Sequence, residues 1–184
     1  MSALGLAAAS SEEKGRAAAE KLERISNDEL GPGEEVVLCE DELNSYLLYE
    51  VAEQIPPGVR DLRVRLLKDV GVVTGYIDFS RLSSNSSSSP GMLLLSLLRG
   101  ERAVRAEVFY VSASGMGRAE IRSFKVDGRE MQGAVLDWLV STFVAPNFDG
   151  FELGEATPLG HQLDEVRLET GRMVFVGRLD TARR

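Results

Sequence analysis

The stretch Val126–Val144, VDGREMQGAVLDWLVSTFV, constrains this chain more than any other. Asp127 can cap a helix, Glu130 three residues on completes a capping box, and Val126 can staple onto Met131. The helix so predicted is apolar almost all round. Met131, Ala134, Val135, Trp138 and Leu139 cover one arc, and Leu136, Val140, Phe143 and Val144 cover the next. Only Asp137 and Ser141 mark a polar edge. A surface helix needs one apolar stripe, so this segment has to be enclosed by protein or by a ligand. A second segment has the same character. Ser89-Pro90 supplies an N-cap and a first-turn proline, and GMLLLSLLRG then spreads Leu93, Leu94, Leu95, Leu97 and Leu98 around the circumference.

Outside these segments the hydrophobic period changes to two. Leu62, Val64 and Leu66 alternate with Asp61, Arg63 and Arg65, and a turn near Asp69–Gly71 leads into VVTGYIDFS. There Val73, Ile77 and Phe79 share a side with two glycines, a mark of bulging or bending. A second hairpin pairs Ala103–Val111 with Ala119–Val126 across Ser114-Gly115-Met116-Gly117, and a third turns at Thr170-Gly171. In that last hairpin Val166 and Leu168 face either Val174 and Val176 or Met173 and Phe175.

Two helices precede the strands. One runs from Ser10 to Ser26, capped by Ser10 and Glu13 and ended by Gly31-Pro32-Gly33; the other starts at Cys39, with Glu42 completing its box, and closes at Pro56-Pro57-Gly58. Val36–Leu38 between them reads as an edge strand. The order hairpin, helix, hairpin, helix, hairpin predicts an α+β fold, a curved antiparallel sheet of about six strands wrapped around apolar helices. Residues 1–35 form an N-terminal helix and linker, 36–178 the single domain and 179–184 a tail. A chain of 184 residues suffices for one such domain, burying roughly 70% of its extended surface.

Composition excludes more than it assigns. The net charge of −8 argues against a phosphate-binding surface, against nucleic acid and against adhesion to anionic membranes by charge alone. The cluster Arg60, Arg63, Arg65 and Lys68 reads as a solvated strand face. One cysteine and one histidine leave no disulfide, no cysteine-based zinc site and no ligand spacing for another metal. Gly115-Met116-Gly117 precedes a strand, so it is not a dinucleotide loop, and no cofactor motif is present. Cys39 is at a helix start but among Glu40, Asp41 and Glu42, which oppose a thiolate. His161 and Asp164 suggest a hydrolase triad only if some serine joins them, and no Gly-x-Ser-x-Gly elbow exists. No apolar run is long enough to span a bilayer. MSALGLAAAS lacks a basic leader, yet Ala7 and Ala9 resemble a trimmed export-signal cleavage site, so the compartment stays open.

The apolar excess therefore points to a non-enzymatic binder. Each buried methylene of an acyl chain gains ~0.8 kcal/mol, so a dozen contribute on the order of 10 kcal/mol before ordering costs. The expected contacts are Met92, Leu94, Leu95, Leu97, Leu98, Phe109, Met131, Val135, Trp138, Leu139 and Phe143. The alternative is an interaction or scaffold domain that covers the same patch with a partner or a second copy. A homodimer and a transient membrane contact are both compatible with this reading.

The segment VVLCEDELNSYLLYEV is similar to the opening of the LmeA-like bacterial phospholipid-binding proteins, with Leu43-Asn44 as the pair that begins the helix. VDGREMQGAVLDWLVSTFVAPNFDGFELGEATPLGHQLDEVRLETGRMVFVG resembles that family's closing pattern. Its parts are a helix, a proline (Pro146), an apolar loop (Phe151, Pro158, Leu159) and a hairpin. The resemblance implies a fold related to tubular lipid-binding proteins, in which a long helix is cradled by a bent antiparallel sheet beside a lipid-accessible groove. It also implies an envelope or periplasmic home, although no complete export signal is present.

Overall fold

The computed structural model describes residues 3–55, 57–82, 100–133, 136 and 154–179. Helix α1 (Ala3–Ser26) is followed by strand β1 (Glu35–Cys39) and helix α2 (Glu40–Tyr49). Strands β2 (Val59–Leu67) and β3 (Val70–Asp78) lead through a single helical turn, α3 (Phe79–Leu82), toward β4 (Glu101–Ala113) and β5 (Met116–Val126). Short strands β6 (Arg129–Glu130) and β7 (Ala156–Pro158) precede the hairpin of β8 (Leu163–Glu169) and β9 (Arg172–Gly177).

The fold is α+β, as the periodicity predicts, with a six-stranded antiparallel sheet in the order β2-β3-β4-β5-β6 and β7 added to β5. The last hairpin does not join it. Strands β8 and β9 pair with β1 in a separate three-stranded sheet, so β1 is indeed an edge strand. The register settles which residues share a face: Val166 sits opposite Phe175 and Leu168 opposite Met173.

Two irregularities bend the large sheet. In β2 the register slips between Arg60 and Arg63, opposite Gly75. A Cβ on Gly75 would lie 2.9 Å from Leu62 Cδ2 and 3.1 Å from the Arg60 carbonyl, so only glycine admits the bulge. A second slip leaves Arg122 between Ile121 and Ser123 unpaired. It explains why the apolar alternation of β5 skips from Ile121 to Phe124.

The sheets meet where side chains replace a missing strand. Ser112 Oγ on β4 accepts the Val166 N–H (2.6 Å) and donates to the Val166 carbonyl (2.8 Å), capping the free edge of β8. Gly115 N–H donates to the Asp164 carbonyl and Asp69 N–H to that of Leu168. Unpaired edge groups are costly and invite aggregation, which these contacts prevent. Behind this seam Ile25, Leu30, Val36, Leu163 and Val166 are buried, with Tyr110 and Phe175 packed against them. The segment read as helix and linker thus contributes part of the core.

Three helix expectations are corrected. Helix α1 ends at Ser26 as expected, but it runs through Ser10, which is not its cap, back to Ala3. Asp28 takes a left-handed conformation (φ 59°), with Glu29 N–H bonding the Arg24 carbonyl, a Schellman ending. Helix α2 starts at Cys39 as expected, Glu42 Oε2 accepting the Cys39 N–H at 2.9 Å, but ends at Tyr49, before the prolines.

The third correction falls on the start of the Val126–Val144 segment. Asp127 and Gly128 both have positive φ (48° and 77°), and Val126 pairs with Arg129. This is a two-residue hairpin, for which Asp-Gly is a strong signal. Asp127 does not cap a helix. Its carboxylate accepts the Ala103 N–H (3.1 Å), and Glu130 turns back to accept the Phe124 N–H (3.2 Å).

Candidate functional site

One face of the large sheet is apolar over most of its length. Register places Val59 with Ile77, Gly75 with Val104, Val104 with Val126 and Ala106 with Phe124 on that face. At one end Ile77, Phe79, Val104, Phe124 and Val126 are buried together, with Met131 and Leu136 packed against them. Phe79 is brought there because β3 ends directly in α3, and its N–H donates to the Gly100 carbonyl (3.2 Å). Met131 is brought there by the β5–β6 hairpin, its N–H donating to the Phe124 carbonyl (2.7 Å).

The described residues on either side of the leucine-rich segment and at the start of the Trp-containing segment therefore meet at this cluster, while after the latter Gly154 is bonded instead to Ala119. Phe79–Leu82 and Gly100 flank the first, and Met131 precedes the second. Of the expected ligand contacts, Met131 lies in the cluster. Phe109 does not: it stands opposite Val70 and Glu120 on the other face, under the Arg122 guanidinium, 3.8 Å from its ring centroid. Met92, Leu94, Leu95, Leu97, Leu98, Val135, Trp138, Leu139 and Phe143 lie outside the described residues.

Sequence reasoning missed Arg102. It sits opposite Ile77 in the ladder and so projects from the apolar face. Its Nη1 lies 3.3 Å from Asp127 Oδ2, while its Nε is buried with no hydrogen-bond partner among the described residues. A buried donor left unpaired costs about 1–3 kcal/mol.

Other candidate groups are placed elsewhere. His161 sits in a turn with Nδ1 3.8 Å from Asp28 Oδ1, and Cys39 is exposed. Arg60 is bound to Glu101 and Asp61 and lies over the Tyr76 ring. Arg63, Arg65 and Arg105 border an open cavity of about 540 Å³ with Lys14 and Asn44. Among the described residues no group of three His, Cys, Asp or Glu side chains is placed to hold a metal, and no helix is long and apolar enough to cross a membrane.

What these features define is an α+β protein of two antiparallel sheets with an apolar cluster at one end. Comparison with models of known families, with characterised proteins and with solved structures finds no match to this chain.

Proposed function

We propose that the protein binds an apolar ligand, a lipid acyl chain, without catalysing a reaction on it. The observation that carries this reading is the convergence at Ile77, Phe79, Val104, Phe124 and Val126 of the points where both oily segments leave the sheet. An acyl chain enclosed by apolar side chains is held by area alone, at about 25 cal/mol per Å² removed from water. That suits a protein of net charge −8. The same function, with an envelope or periplasmic location, is what the LmeA-like resemblance implies. Organic extraction and native mass spectrometry of the purified protein test it. Recovered lipid, or stoichiometric uptake of added phospholipid or fatty acid, supports the proposal; a protein that yields none and takes up none overturns it.

A second reading, an interaction domain, is favoured by the end of α2, where Leu48 is 60% exposed beside the exposed Tyr49. Light scattering separates the two, since a strict monomer that retains lipid fits only the first.

A further inference from the structure

We propose that the cavity bordered by α1, α2 and the large sheet binds the phosphate of a phosphorylated small molecule, through the guanidinium groups of Arg63 and Arg65. The site is on the face of the sheet opposite the apolar one and does not depend on the acyl-chain reading. The ladder sets Arg63 opposite Thr74 and Thr74 opposite Arg105; in the next row Arg65 is opposite Val72 and Val72 opposite Glu107. These six side chains therefore share one face. Arg63, Arg65, Thr74 and Arg105 border an open cavity of about 540 Å³, together with Lys14 of α1 and Asp41 of α2. Pockets for small molecules span roughly 300–1,000 Å³.

The carboxylates around this cavity are already engaged. Asp41 holds Lys14 at 3.1 Å, Glu107 holds Arg105 at 2.8 Å, and Glu40 accepts the Leu66 N–H at 2.8 Å. The guanidinium groups of Arg63 and Arg65 are exposed and have no hydrogen bond, ion pair or ring contact among the described residues. They leave the same strand two residues apart, about 7 Å, so their charges repel until an anion sits between them. In a chain of net charge −8 their attraction is local, acting within a Debye length of about 8 Å. The number of donors then selects the anion. Each guanidinium presents a fork that bonds two oxygens in parallel. A carboxylate has two oxygens and fills one fork. A phosphate monoester carries about −1.5 to −2 charge at pH 7 and three acceptor oxygens, which suffice to bridge both forks. Leu48, 60% exposed at the same cavity, offers apolar surface to the organic part.

Isothermal titration calorimetry of the full chain with glycerol 3-phosphate, glycerol and acetate tests this, alongside Arg63→Gln, Arg65→Gln and Arg172→Gln. The wild type is expected to bind the phosphate in clear preference to the other two, and more weakly as salt rises. Arg63→Gln and Arg65→Gln should each weaken that binding about tenfold or more while leaving the urea midpoint unchanged, because neither guanidinium holds another described element. Arg172→Gln removes the same charge from the small sheet and should bind as the wild type does. Sedimentation with phosphatidylcholine vesicles, with and without dioleoyl phosphatidate, identifies the source of the phosphate. Retention on the phosphatidate vesicles that Arg63→Gln abolishes assigns it to a lipid headgroup; binding of glycerol 3-phosphate without retention assigns it to a soluble molecule. Neither binding nor retention overturns the proposal. So does binding that acetate matches, that survives both cavity variants, or that Arg172→Gln weakens as much. Lipid recovered by organic extraction, or its absence, bears on the acyl-chain reading alone.

Discussion

Asn44 pairs with the edge of β2 as a neighbouring strand would. Its Nδ2 donates to the Val64 carbonyl at 2.7 Å and its Oδ1 accepts the Val64 N–H at 2.8 Å. One turn earlier Glu40 Oε2 accepts the Leu66 N–H at 2.8 Å, so α2 covers the edge with side chains. Asn44→Ala should cost about 2–3 kcal/mol in urea unfolding, since both Val64 groups are left unpaired while half-buried. Asn44→Asp keeps the acceptor and loses the donor, so it should fall between. An unchanged midpoint for Asn44→Ala would show that the edge does not depend on this contact.

Acid should loosen the packing of α1 on α2. Burial pushes the Glu42 carboxyl up, but hydrogen bonds from Lys21 Nζ and the Cys39 N–H, with the charges of Lys21 and Lys14, outweigh it. The net pKa lies below the usual carboxylate range. A depressed carboxylate contributes stability above its unfolded pKa of about 4.3, and that stability is lost as pH falls through the lower folded value. Glu42→Gln should therefore reduce stability at pH 7 by about 1–2 kcal/mol and flatten the acid limb below pH ~4. Urea midpoints measured between neutral pH and strong acid compare the two proteins.

Gly128 distinguishes the hairpin from the helix predicted for the same residues. With φ of 77° and open space where a Cβ would stand, Gly128→Ala should cost about 1 kcal/mol through backbone conformation alone. At the start of a helix the same change would stabilise. The sign of the shift in melting temperature decides between them.

Gly177 tolerates no side chain for a different reason. A Cβ there would fall 2.4 Å from the Gly31 carbonyl oxygen, while Gly177 N–H and C=O bond to Glu34 and Gly33. Gly177→Ala should destabilise by about 2–4 kcal/mol, because backbone on both sides has to move. Thermal unfolding of the variant measures it, and a neutral result would refute the tight approach of the Leu30–Glu34 loop to β9.

How much was readable depended on the range of the deciding contacts. The alternation Leu62, Val64, Leu66, the turn at Thr170-Gly171 and the Cys39–Glu42 box are local, and the structure places them as the spacing predicts. Asp127 and Glu130 fit a capping box and a hairpin equally well on local grounds. Contacts to Ala103 and Phe124, distant or across the ladder, select the hairpin. The α1–α2 contact was invisible for the opposite reason. It centres on Gly15, where a Cβ would sit 3.0 Å from the Ser45 carbonyl, not on the leucines that periodicity emphasises. In the candidate site the sequence indicated Met131 but gave no sign of Arg102, which reads as one more strand-surface charge until its partner in the ladder proves to be Ile77.

Strand β1 has Glu35 facing Val176 and Cys39 facing Arg172. During synthesis from the N-terminus, its backbone groups therefore wait for almost every intervening residue to leave the ribosome before they can pair. Until then Val36-Val37-Leu38 presents a short sticky edge to whatever is nearby, and closure of the small sheet is a late event in folding. The nascent protein consequently passes through a window of vulnerability that no property of the finished fold reveals, and a holding chaperone should raise its yield more than it raises its stability.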